Sequence, residues 1–209
     1  YFSQEFQFVN SEKYPFKLRH TIFHQANKYR FIEAAAESYY TSPYVSNFDT
    51  YSYKFSKNLS NTISLVFDKK TFKLDAGFRH QLINLGTDRV LPTAVGVVIP
   101  TENKENRLGA VGNLEIKLWD KVDVKSFLEY SNGKSFGNYL RSENLLKLEP
   151  IKGYILDAHV NFQSAIPSFN YLMNPSFYQN FNYNFSNAQN QSITEIGGKI
   201  NLKWFESSV

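Results

Sequence analysis

Apolar and polar side chains alternate residue by residue along much of this chain. From Phe72 to Leu82 the even positions are Phe72, Leu74, Ala76, Phe78, His80 and Leu82, against Lys73, Asp75, Gly77, Arg79 and Gln81. Leu108, Ala110, Gly112, Leu114, Ile116 and Leu118 oppose Asn113, Glu115 and Lys117, and Val122, Val124, Leu128 and Tyr130 oppose Asp123, Lys125 and Glu129. Tyr154, Leu156, Ala158, Val160 and Phe162 oppose Asp157, His159, Asn161 and Gln163. Near the end, Ile196, Ile200, Leu202 and Trp204 oppose Glu195, Lys199, Asn201 and Lys203. A period of two means strands with one apolar and one polar face, because a helix sends i and i+2 to different faces.

Weaker alternation predicts further strands at Tyr1–Val9, Phe16–Gln25, Lys28–Glu33, Tyr51–Phe55 and Asn61–Asp68. Asp68-Lys69-Lys70 and Asp120-Lys121 are short enough for hairpin turns. Longer polar connections run over Gly86–Asn106, Asn132–Asn138 and Asn184–Ser192, and Ala34–Tyr40 shows at most one helical turn. The chain thus reads as about ten antiparallel strands in one unit over residues 1–209, with no separate domain.

A soluble β-sandwich also alternates. Three features favour an up-and-down transmembrane β-barrel, either a small whole one or part of a larger wall. The clearest strands run to about ten residues, the length of a tilted membrane strand. Aromatics stand towards strand ends, at Tyr51, Tyr53, Trp119, Tyr130, Tyr154, Trp204 and Phe205, where interfacial girdles place them. The polar face carries charge in nearly every strand, which a solvated face accepts and a packed interior does not.

Composition fits this picture. Aromatics make up 17% of the residues and charged residues 20%, and mean hydropathy is −0.41. The longest uncharged, apolar-leaning run, within Val90–Pro100, is too short for a membrane helix. Membrane strands need only every second residue apolar, so a low mean hydropathy does not exclude them. Net charge is +4 with lysines scattered among acids, so no basic stripe marks a nucleic-acid partner. Cysteine is absent, which removes disulfides and thiolate metal sites. Opening at Tyr1 without Met or leader, the chain reads as processed or partial.

Candidate chemistry is sparse. His20 and His24 have a metal-ligand spacing on a helix, but on a strand they only share a face with Phe16, Leu18 and Ile22. Ser126 with His159 and Asp157 supplies the residue types of a hydrolase, without the strained nucleophile turn or glycine-rich oxyanion hole. Gly109 and Gly112 lie within a strand, where they relieve crowding or allow bending. The residues imply no catalytic site, metal or cofactor.

The stretch AIPSFNYLMNPSFYQNFNYNF from Ala165, followed by IGGKINLKWFES, resembles the "putative porin" family of the Bacteroidetes. The opening YFSQEFQFVNSEKYPFKLRHTIFHQANKYRF carries the same texture. The resemblance implies a large barrel of the bacterial outer membrane, of which this chain would be an internal segment. The expected function is passive diffusion of small polar solutes, with no enzymatic activity. The expected pore-lining residues are Lys73, Asp75, Arg79, Glu115, Lys117, Asp123, Lys125, Glu129, Asp157, Glu195, Lys199 and Lys203. They comprise six basic and six acidic side chains, so the wall they form has no net charge. The alternative is a structural or docking barrel of a larger outer-membrane complex, binding a partner protein through loops or by oligomerising. The apolar run Ala94–Ile99 would then be an exposed patch, whereas in a porin it would fold inwards as a constriction.

Overall fold

A computed structural model describes residues 1–8, 15–33, 50–87, 102–167, 169–174, 183–184, 188–203 and 205–208. Ten antiparallel strands form one meandering sheet. In sheet order they are β1 (Phe2–Gln7), β2 (Phe16–Glu33), β3 (Thr50–Lys69), β4 (Phe72–Thr87), β5 (Glu102–Leu118), β6 (Val122–Asn132), β7 (Tyr139–Ile151), β8 (Tyr154–Ala165), β11 (Gln191–Leu202) and β12 (Phe205–Ser208). Between β8 and β11 lie a four-residue helix, α1 (Phe169–Leu172), and a two-stranded ribbon of β9 (Met173–Asn174) and β10 (Tyr183–Asn184). The Ala34–Tyr40 segment and the Ala94–Ile99 run lie outside the described residues.

The membership of the sheet differs from that expected. Phe16–Gln25 and Lys28–Glu33 are one strand, as are Tyr51–Phe55 and Asn61–Asp68, because pairing between β2 and β3 continues unbroken from Phe16↔Phe67 to Glu33↔Thr50. β7 is an addition to the expected strands. Its apolar row contains Ser142 and Asn144 and its polar row contains Leu145, so its alternation is blurred although its pairing is regular up to Leu148. Pro150 lies within the register shift that follows, where the lost N–H costs the ladder least. Lys203 is a further correction: it stands in the turn after Leu202, and the chain then pairs back as β12.

Two turns sit one residue from their expected places. Lys69↔Phe72 is the last pair of β3 and β4, which stacks Phe67 against Phe72 at 5.7 Å between ring centroids. In the β5–β6 turn Trp119 and Asp120 have φ of 51° and 52°, the conformation that matches the twist of a two-residue hairpin.

Connections alternate between the two rims. β3–β4, β5–β6, β7–β8 and β11–β12 turn within two or three residues on one rim, which the longer β1–β2 connection over 8–15 shares, while the connections over 34–49, 88–101, 133–138 and 166–190 join strand ends at the other. The register also climbs. One row runs Phe16–Phe67–Leu74–Leu114–Ser126–Asn144–Val160–Ile196. It starts at the first residue of β2 and, seven strands on, meets β11 six residues short of its end. At ~3.3 Å per residue and ~4.8 Å between strands this is a tilt of about 30°. Outer-membrane barrels tilt their strands by about 35–45°.

Candidate functional site: the polar face of the wall

Facing residues in an antiparallel pair share a face, so the register assigns each side chain to one side of the sheet. Apart from Gly86, every buried strand residue among those described lies on the polar side: Ser60, Ser64, Val66, Leu85, Thr87, Glu105, Arg107, Val111, Glu129 and Ser131. The other side exposes large apolar groups, including Ile63, Leu65, Leu82, Leu128, Val160 and Ile196, with Phe78 at 80% and Leu108 at 68%. This inverts the burial of a soluble sheet, which hides its apolar face. Phe23, Tyr29, Leu145 and Ile193 are exposed apolar residues on the polar face.

The sheet curls towards its polar side. A Cβ on Gly77 would stand 2.5 Å from the Ser64 Cβ, and one on Gly109 would stand 2.8 Å from the Ser131 Cβ. Facing Cβ atoms are ordinarily about 4.5–5.5 Å apart. Both glycines are thus required by convergence of backbone on the concave face. Gly112, on the other face, has no such constraint, since the nearest atom to a Cβ there lies at 3.9 Å.

Eleven of the twelve expected pore residues lie on this concave face, all but Lys203. The register sets them in rows of alternating sign. One row reads Asp68–Lys73–Glu115–Lys125, and another Lys117–Asp123–Lys147–Asp157–Lys199. Loss of Lys203 from the wall is offset by β7, which adds Arg141 and Lys147 against Glu143, so the sign balance holds. Two arginines reach across a strand: Arg19 bonds Asp75 at 2.6 Å, and Arg79 bonds Glu129 at 2.5 Å, passing the strand that carries Gly109.

A more enclosed cluster has no counterpart among the expected site residues. Glu105 and Arg107 are buried and paired at 2.6 Å. The backbone N–H groups of Ser135 and Phe136 donate to Glu105 at 2.7 and 2.6 Å, and Arg107 Nη2 donates to the carbonyls of Phe136 and Gly137 at 3.0 Å each. The 133–138 connection is thereby drawn inward over the concave face, where Phe136 packs in a small apolar cluster with Leu85 and Leu172. Continuing the β5 alternation back through Arg107 and Glu105 would have placed both on the polar face. Nothing in the sequence shows the loop they hold.

The catalytic and metal candidates do not converge. Ser126 is on the apolar face, donating to Asn144 Oδ1 at 2.7 Å, while His159 is on the polar face beside Glu195 at 3.4 Å. His20 and His24 face the apolar side opposite Ile63 and Leu59, and His80 there bonds Asn106 at 2.6 Å.

The apolar band ends in aromatics on both sides. Phe16, Phe67 and Phe72 stack near the short-turn rim, with centroids 5.0 and 5.7 Å apart. Towards the other rim the Lys28 ammonium lies 3.7 Å from the Tyr53 ring centroid, and Lys57 stands 5.2 Å from that of Phe55. Phe55 and Phe67 are twelve residues apart, ~40 Å along the strand and roughly 34 Å along the normal at the tilt above. The hydrocarbon core of a bilayer is about 30 Å thick.

Comparison with known proteins agrees with this architecture. A family model described as "Putative porin" matches residues 1–209. Neither the curated proteins nor the solved structures gave a match. By its sequence over all 209 residues, the chain belongs to the putative porin family.

Proposed function

We propose that this chain forms wall of an outer-membrane pore through which small polar solutes diffuse passively. The observation that carries the reading is the inverted burial: charged and hydroxyl groups crowd the concave side while leucines and phenylalanines face outward. In water an outward apolar sheet face of this size would aggregate, and in a bilayer it is the surface that solvates the protein. Four turns of two or three residues on one rim, longer connections throughout the other and tilted strands suit the same setting. Lipid then meets the apolar face and water the concave one. Such a wall supplies a polar path and no reaction centre, so the proposed activity is transport without catalysis.

The test uses the full-length protein in planar bilayers and single cysteines in intact outer membranes. Stepwise ion conductance is expected. Cysteines replacing Glu115, Lys125 or Asp157 should react with a water-soluble maleimide, and those replacing Leu114, Leu128 or Leu156 should not. Reversed labelling would overturn the assignment of faces, and absence of conductance would overturn the pore.

One observation favours a docking role in addition. Ser126, Ser142 and Asn144 form a hydrogen-bonded group on the apolar face, at 2.7 and 3.0 Å. Polar groups within a lipid-facing band are found where helices or barrels meet a neighbour. Cross-linking between copies through Ser126→Cys checks it, and a uniformly monomeric product would remove it.

A further inference from the structure

The concave face contains a cavity of about 490 Å³ whose lining departs from the charged rows around it. Three rings border it, Tyr1, Phe23 and Tyr139. Phe23 is an aromatic on the polar side of β2, exposed when the chain's other strand phenylalanines mostly face outward. Between the rings stand neutral hydrogen-bonding groups, among them Asn58, Thr62 and Gln81.

The charges of the lining are already engaged. Arg79 bonds Glu129 and donates to Thr62 Oγ1 at 3.1 Å. Arg107 is committed to Glu105 and to two carbonyls of the inward loop. An anionic or cationic solute entering here would have to displace an existing partner, which buried pairs resist. A neutral solute with several hydroxyls meets no such barrier. Each hydroxyl both donates and accepts, matching amides and hydroxyls of either polarity, and the C–H face of a sugar ring suits an aromatic platform. The volume falls within the roughly 300–1,000 Å³ of small-ligand sites. We infer that this cavity is a binding site for a neutral mono- or disaccharide. In the setting of the pore proposed above, on which the role in transport rests, it would be a station on the solute's path beneath the 133–138 loop.

Calorimetry of the full-length protein in detergent, titrated with glucose, galactose, maltose and cellobiose and with gluconate and glucosamine as charged comparisons, tests the site directly. At least one neutral sugar should bind more tightly than both charged ones. Phe23→Ala should weaken it about tenfold, the scale of one lost ring contact, and Phe23→Trp should retain it. Phe23 is 38% exposed, so its truncation leaves no core void. Parallel conductance records separate the two proposals. Conductance without sugar binding overturns the site alone, and sugar binding without conductance overturns the pore alone. Binding that is indifferent to Phe23→Ala, or stronger for gluconate, also overturns the site.

Discussion

Arginine placed along the apolar face of β5 gives the sharpest test of a membrane setting, because one strand samples the full depth of the band. Leu118, Leu114 and Leu108 all lie on that face. Leu118 ends the strand at the short-turn rim. Leu114 shares the register row of Phe67, where the apolar band ends, and the climb of that row over two strands sets it only ~5 Å inside Phe67 along the normal. Leu118, four residues back and roughly 11 Å lower, lies outside the band. Leu108 is six residues on from Leu114, roughly 17 Å along the normal, which sets it in the inner part of the roughly 34 Å interval from Phe67 to Phe55. Leu108→Arg should therefore destabilise most, by about 2–4 kcal/mol, Leu114→Arg by less, and Leu118→Arg by about 0–1 kcal/mol. Reversible guanidinium unfolding from lipid vesicles, followed by tryptophan emission, reads all three. In a soluble sheet exposure would set the order and depth would not enter. Three equal costs, or a Leu108→Arg cost no larger than those at Leu114 and Leu118, would refute the bilayer reading.

Other outcomes follow from the polar face. Glu105→Gln leaves Arg107 buried without its carboxylate, which should cost about 3–5 kcal/mol; cleavage of the 133–138 loop by added protease should quicken. Phe136→Ala should raise single-channel conductance by removing the ring drawn over the concave face, and unchanged conductance would place the narrowest point elsewhere. Gly109→Val should lower stability by at least ~1–3 kcal/mol through backbone overlap, whereas Gly112→Ala should cost less than ~1 kcal/mol, read by the same unfolding assay.

The fold is legible in the sequence wherever one face of a strand is uniformly apolar. β4, β5, β6 and β8 follow their alternation closely, because their outward rows are almost wholly apolar. β7 is hidden because Ser142 and Asn144 occupy its apolar row and satisfy one another there, so no simple hydrophobic count marks it. β2 reads as two strands because beyond Ala26 its apolar row continues with Lys28 and Arg30, and only pairing with β3 shows it to be continuous. Of the site, the charged rows are visible in the sequence and the enclosed parts are not. Phe23 and Tyr139 are brought to one cavity by strands far apart in sequence, and the clamp on Phe136 spans about thirty residues. Such contacts depend on register and curvature, which local alternation does not encode.

Charge selectivity joins these strands of reasoning. Rows of alternating sign, Asp68–Lys73–Glu115–Lys125 and Lys117–Asp123–Lys147–Asp157–Lys199, place each charge opposite its counter-charge one strand away, at about 5 Å. At that spacing opposite charges cancel each other's field beyond a Debye length of about 8 Å, so an ion in mid-lumen meets little net potential from this wall. The wall's own contribution to the reversal potential in a salt gradient should therefore be near zero. Lys125→Glu breaks a row by setting a second carboxylate opposite Glu115, and should move the potential towards cation preference. Lys125→Gln should move it in the same direction by roughly half as much, since it removes one charge where the first change reverses it. A strongly selective unaltered pore, insensitive to both changes, would show that the field is set by a constriction away from these rows.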